Sequence, residues 1–94
     1  MAHWTFLSNH AHVLLLLWEN PDLRMREIAE QVRITERAVQ RVIHDMIEDG
    51  YIEVTKEGRR NHYTVRDDLP MRHPLEANAK VSCLIGILQA TRGQ

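Results

Sequence analysis

The chain has 94 residues, a single cysteine at Cys83, 44% apolar residues and a formal charge of −1. That length allows one domain with a thin core, because such a chain buries only about 60–65% of its unfolded surface. The composition excludes a disordered tail, an intrachain disulfide and a membrane-spanning helix; no secretory signal opens the chain, and a reducing cytoplasm is expected.

Met1 to Leu7 reads as a lead-in carrying Trp4 and Phe6. A first helix is predicted from a Ser8 N-cap to about Glu19. It stops at Asn20-Pro21, since the residue ahead of a proline avoids helical geometry. Its second half, Val13 to Trp18, is apolar all round. A helix on a monomer surface needs only one apolar stripe. So small a chain has little to wrap such a helix, so one side is expected on its own core and the other on a second subunit. Pro21-Asp22 reads as a turn and Leu23-Arg24-Met25 as a short strand. A second helix over about Arg26 to Val32 faces Ile28, Ala29 and Val32 inward. Arg33-Ile34 then turn the chain.

Thr35 is the predicted cap of a third helix, with Glu36 at the positive end of its dipole. Apolar residues fall at Val39, Val42, Ile43, Met46 and Ile47, one stripe at a 3.6-residue period. Arg37, Arg41 and His44 lie on the opposite face, with Gln40 beside them. Arg and Gln are the side chains that read guanine and adenine edges in a major groove. A solvated face with scattered charge is the plain alternative for an isolated helix; here the helix sits in a wider pattern. Gly50 suits the left-handed position that ends it.

Two half-buried strand patterns follow, with Ile52 and Val54 alternating in the first and Tyr63 and Val65 in the second. They are joined by Lys56-Glu57-Gly58-Arg59-Arg60, a tight turn with three basic residues. The net charge weighs against nucleic acid, but placement outweighs sum. The arginines Arg37, Arg41, Arg59 and Arg60 cluster, while Glu19, Asp22, Asp67 and Asp68 lie outside their stretch. A linker with Pro70 and Pro74 leads to a last helix over about 74–90, Pro74 suiting its first turn. Ala77, Val81, Leu84, Ile85 and Leu88 form its stripe, widened by Cys83, Ile87 and Ala90.

The order of helix, short strand, helix, turn, helix, two-stranded wing and terminal helix resembles the winged helix-turn-helix transcriptional regulators, in particular the small MarR-like and ArsR-like members of prokaryotes. Leu23, Ile28, Ala29, Val32, Ile34, Val39, Met46, Gly50, Tyr51 and Ile52 match that pattern, as do Gly58-Arg59-Arg60 and Tyr63 in the wing. The fold implied is mainly α (α+β): a three-helix core, a β-hairpin wing and a C-terminal dimerisation helix, in one domain over 1–94. Its helix-turn-helix would span about 26–49 and its wing about 51–66. Arg33 departs from the pattern, which often has glycine there; a position favouring φ > 0 makes arginine costly.

The resemblance implies a non-enzymatic regulator, a repressor that binds double-stranded DNA as a homodimer on a palindromic operator. Thr35, Glu36, Arg37, Gln40, Arg41 and His44 would face the major groove or its phosphates. Lys56, Arg59 and Arg60 would reach the adjacent backbone or minor groove. The end helices would supply the dimer interface through Trp4, Phe6, Leu14, Leu17, Trp18, Val81, Leu84, Ile85 and Leu88. The histidines show no metal-ligand spacing and no cysteine pair exists, so neither metal nor cofactor is expected. No nucleophile–base grouping or phosphate-cradling loop points to catalysis. The competing reading is a winged-helix protein–protein interaction module that ignores DNA. A small-molecule effector bound under Trp4, Phe6 and the last helix is a third expectation.

Overall fold

The computed structural model describes residues 4–92, with side chains through 89. Its elements run α1 (Asn9–Glu19), α2 (Met25–Val32), α3 (Glu36–Glu48), β1 (Ile52–Glu57), β2 (Arg60–Val65) and α4 (Val81–Arg92). Four helices and a two-stranded antiparallel hairpin make a mainly α winged helix. No helix among the described residues is long and apolar enough to cross a membrane.

The helix starts follow local chemistry. Ser8 Oγ accepts from Ala11 N–H at 3.3 Å and Thr35 Oγ1 from Ala38 N–H at 3.0 Å, satisfying donors that the first turn leaves free. Glu27 accepts from Arg24 N–H at 2.8 Å, one half of a capping box; the guanidinium of Arg24 has no acceptor to complete the other. The core joins α1, α2, α3, the hairpin and α4 through Val13, Leu17, Ile28, Val39, Ile52 and Ile85, all at most 3% exposed. No polar or charged side chain among the described residues is buried.

Four sequence expectations are corrected. Leu23-Arg24-Met25 is no strand: Met25 opens α2 and the chain before it pairs with nothing regular. One backbone bond, Tyr63 N–H to Pro21 C=O at 3.0 Å, stands where a third strand would have joined the hairpin. The last helix begins at Val81, not Pro74. Residues 74–78 coil in turns, and the amides of Val81 and Ser82 donate to Leu69 and Asp67 C=O at 2.9 and 2.8 Å. Those carbonyls of the folded-back linker satisfy the first donors of α4 and fix its start. Val54 is exposed, because the hairpin leaves the body and only Ile52 of β1 is buried.

The fourth correction concerns α1. Val13, Leu14, Leu15 and Leu17 are buried by the chain itself, as are Val81 and Ile85 of α4. The four α1 residues can share one small core because α1 lies against α2, α3 and β2 together. Leu14, Leu17, Val81 and Ile85 therefore do not present themselves to a partner as expected. Trp4, Phe6, Trp18 and Ile87 are instead exposed, at 67%, 92%, 39% and 65%. Trp4 and Phe6 meet edge to face with centroids 5.0 Å apart. Leu84 and Leu88 are half-buried.

Candidate nucleic-acid interface

Helix α3 divides cleanly. Val39, Val42, Ile43 and Met46 are buried, while Arg37, Gln40, Arg41 and His44 are exposed along the other side. The inner row locks the rotation of the helix, so the outer row has a fixed aim. Thr35 and Glu36 stand exposed at its N-terminal end. The Thr35 oxygen accepts the Ala38 amide, which leaves its own O–H as a donor. The other half of α3 is acidic: Asp45, Glu48 and Asp49 follow His44, and Asp45 Oδ2 pairs with His10 Nε2 of α1 at 2.9 Å.

The turn ahead of α3 carries the expected strain. Arg33 has φ 68 and ψ 45, left-handed geometry in a residue with a full side chain. Its amide and that of Ile34 both donate to Ala29 C=O, at 2.8 and 3.1 Å. That pair of bonds closes α2 and sets the angle at which α3 departs.

The wing is a two-residue hairpin. Glu57 pairs with Arg60, and Gly58 has φ 65 at the first turn position, where glycine avoids a Cβ clash. Lys56 and Arg59 are exposed near the tip. Arg60 has a partner within the chain: its Nη2 donates to Asp22 C=O at 2.7 Å, tying β2 to the turn after α1. Arg59, Arg60 and Asn61 line a cleft of about 350 Å³ together with Arg24 from the start of α2. Sequence reading missed Arg24, because the expected strand hid its place at a helix N-terminus.

The ion pairs sort the arginines. Arg66 pairs with Glu53 at 3.3 Å and Asp68 at 3.4 Å, and Arg72 with Asp49 at 2.6 Å. The bonds to Asp68 and Glu53 raise the Arg66 pKa, and Arg66 holds the Asp68 carboxyl below its usual value. Arg37, Arg41, Arg24 and Arg59 make no ion pair among the described residues. At the base of the wing, His62 Nδ1 and Asp22 Oδ1 lie 2.9 Å apart. That hydrogen bond raises the His62 pKa above 6.5, with the charges of Asp22 and Glu57 adding to it against the effect of burial.

An open cavity of about 560 Å³ lies between α1, α3 and the segment leading into α4, lined by His10, Leu14, Asp45, Tyr51, Met71 and Leu84 among others. Trp4 and Phe6, expected over an effector pocket, are not among its lining residues.

Residues 9–53 match the family described as winged helix-turn-helix DNA-binding, a span running from the start of α1 into β1. Several solved structures share the fold. Reduced HlyU from Vibrio cholerae N16961 superposes with TM-score 0.61 at 18% identity, over 94% of this chain and 80% of its own. The zinc-dependent MarR family transcriptional regulator AdcR in its Zn(II)-bound state gives 0.55 at 24% identity, over 71% of this chain and 47% of its own. Streptococcus pneumoniae FabT in complex with DNA gives 0.56 at 17% identity, over 69% and 48%. The chain thus spans about half the length of AdcR and FabT. No curated protein sequence matches it.

Proposed function

This chain is a winged helix-turn-helix protein that shares its fold with MarR-family regulator structures, and from that premise we propose that it is a transcriptional repressor binding duplex DNA as a homodimer. The observation that carries this reading is the unpaired row of α3, Arg37, Gln40, Arg41 and His44, aimed outward by a buried opposite face. The N-terminal half of α3 enters the major groove, where Glu36, Arg37, Gln40 and Arg41 meet base edges and Thr35 lies by the backbone. The acidic half, from Asp45 on, stays clear of phosphate. FabT, of the same fold, is seen with DNA.

Lys56, Arg59 and Arg60 of the wing, joined by Arg24, take the adjacent phosphates. Arg60 spends one donor on Asp22 C=O and keeps others on its five-donor fork. That anchorage stiffens its approach. A net charge of −1 is compatible with such binding because the field over one face, not the total, steers the duplex. The second subunit covers Trp4, Phe6, Trp18 and Ile87, with Leu84 and Leu88 at the margin. Two-fold symmetry then asks for a palindromic operator with half-sites about one helical turn apart.

Selection from random duplexes, followed by sizing of the complex, tests this reading. An enriched palindrome bound two chains to one duplex is expected. Binding no tighter than background at moderate salt, with no enriched sequence, would overturn it and leave the winged helix as a protein–protein module.

A further inference from the structure

Asp22, Glu57 and His62 each offer one ligand atom, and the three atoms lie within 4.8 Å of one another. None belongs to the proposed DNA contacts. The hairpin register brings two of them together. His62 stands opposite Thr55, and Glu57 follows Thr55 by two residues, so both side chains leave the same face. Asp22 arrives from the turn after α1, and its position is held on three sides. Pro21 C=O accepts from Tyr63 N–H at 3.0 Å, Asp22 C=O accepts from Arg60 Nη2 at 2.7 Å, and Asp22 N–H donates to Asn20 Oδ1 at 3.3 Å. The carboxylate of Glu57 makes no hydrogen bond or ion pair among the described residues. Its cross-strand neighbour Arg60 is drawn away to the Asp22 carbonyl.

We propose that Asp22, Glu57 and His62 form a binding site for a divalent transition ion of the zinc class, which clasps the wing to the turn after the first helix. One imidazole and two carboxylates are a nitrogen–oxygen set that zinc and cobalt take at about 2.0–2.2 Å, with water in the remaining position. Donors around such an ion sit roughly 3 Å apart. Asp22 Oδ1 and His62 Nδ1 already meet that spacing at 2.9 Å. Glu57, exposed at the end of β1, has a carboxylate oxygen within 4.8 Å of both and completes the set. Magnesium and calcium prefer all-oxygen shells of six or more ligands and are poorly served here. Entry of the ion replaces the proton on Nδ1, and the ligating imidazole is neutral with its one proton on Nε2. Affinity therefore falls as pH drops.

Isothermal titration of the full chain with Zn²⁺, and the visible absorption of added Co²⁺, test the site. At about pH 7.5 one equivalent is expected to bind, with His62→Gln and Glu57→Gln each weakening binding at least roughly tenfold. His10→Gln should leave it unchanged. Circular dichroism checks that each variant folds. If His62→Gln does not fold, Glu57→Gln decides, because the Glu57 carboxylate makes no hydrogen bond or ion pair among the described residues. No uptake at roughly 100 μM Zn²⁺, or equal uptake by wild type and Glu57→Gln, would overturn the proposal. DNA binding plays no part in either outcome.

Discussion

The stretch Met25–Glu48 and the stretch Ile52–Arg92 are held by different kinds of contact. In the first, the caps and the turn are set within five residues: Glu27 on Arg24 N–H, Thr35 on Ala38 N–H, Ala29 C=O closing the turn. In the second, the fixing contacts come from afar. Tyr63 reaches Pro21, Arg60 reaches Asp22, Tyr51 donates its O–H to Pro70 C=O, and α4 starts on carbonyls of Leu69 and Asp67. The first stretch aims its side chains by its own pattern, and the second is placed by what it lands on.

Core truncation should separate the two regions most strongly. Ile43 of α3 is 3% exposed, and Ile43→Ala should cost about 2–5 kcal/mol in urea unfolding. Ile87 of α4 is 65% exposed, and Ile87→Ala should change the unfolding of a dilute monomer by no more than roughly 0.5 kcal/mol. It should instead weaken self-association, read by analytical ultracentrifugation. Equal costs for the two variants would break the contrast.

DNA binding gives the next effect in size. Arg41→Ala should lose about 1–3 kcal/mol of discrimination at one operator position. Arg59→Ala, on the wing, should weaken all sequences alike and reduce the salt slope by about one. Parallel binding isotherms at several salt concentrations distinguish them. An Arg41→Ala variant that weakened every sequence equally would remove α3 from base reading.

The same contrast explains how much was legible in the sequence. The apolar stripe of α3, its Thr35 cap and its Gly50 end, at φ 84, all lay in local spacing and were read correctly. So were Ser8 and the end of α1 at Glu19. The misplacements share one cause. Leu23–Met25 looked like a strand because its alternation is the same whether or not a partner pairs with it. Pro74 looked like a helix start because nothing local reveals that Leu69 and Asp67 would cap Val81 instead. Leu14, Leu17, Val81 and Ile85 looked like an interface because an apolar face does not say which surface covers it. The internal contact of Arg60 went unread for the same reason: its partner, Asp22 C=O, is 38 residues away.

Arg33 is the point where the local stretch departs from local preference, and it yields a smaller effect. Its left-handed φ of 68 costs a side-chain-bearing residue about 1–2 kcal/mol. Glycine removes that strain but adds freedom to the unfolded chain. Arg33→Gly should therefore stabilise by roughly 1 kcal/mol, raising the thermal midpoint by about 4–8 °C. Destabilisation would mean that the exposed Arg33 side chain contributes more than its backbone costs.

The smallest effect belongs to the region fixed from afar. Among the described residues no charged side chain is buried in the core shared by α2 and α3, so pH has little hold on it. The wing is tied to the turn after α1 partly through His62 and Asp22, with Glu57 and Arg60 close by. The Asp22 hydrogen bond raises the folded-state pKa of His62 above 6.5. The stabilisation from that pair is then complete below the unfolded value and is lost as pH climbs through the higher folded value. In chelator, so that no metal contributes, the urea midpoint of wild type relative to His62→Gln should fall as pH is raised from about 6 to 8. Amide exchange at Tyr63, the neighbour that donates to Pro21, should quicken over the same range while that of Val39 and Val42 in α3 stays level. A drop of the same size at all three amides would mean that the wing and the helix-turn-helix open as one unit, against the separation drawn between them.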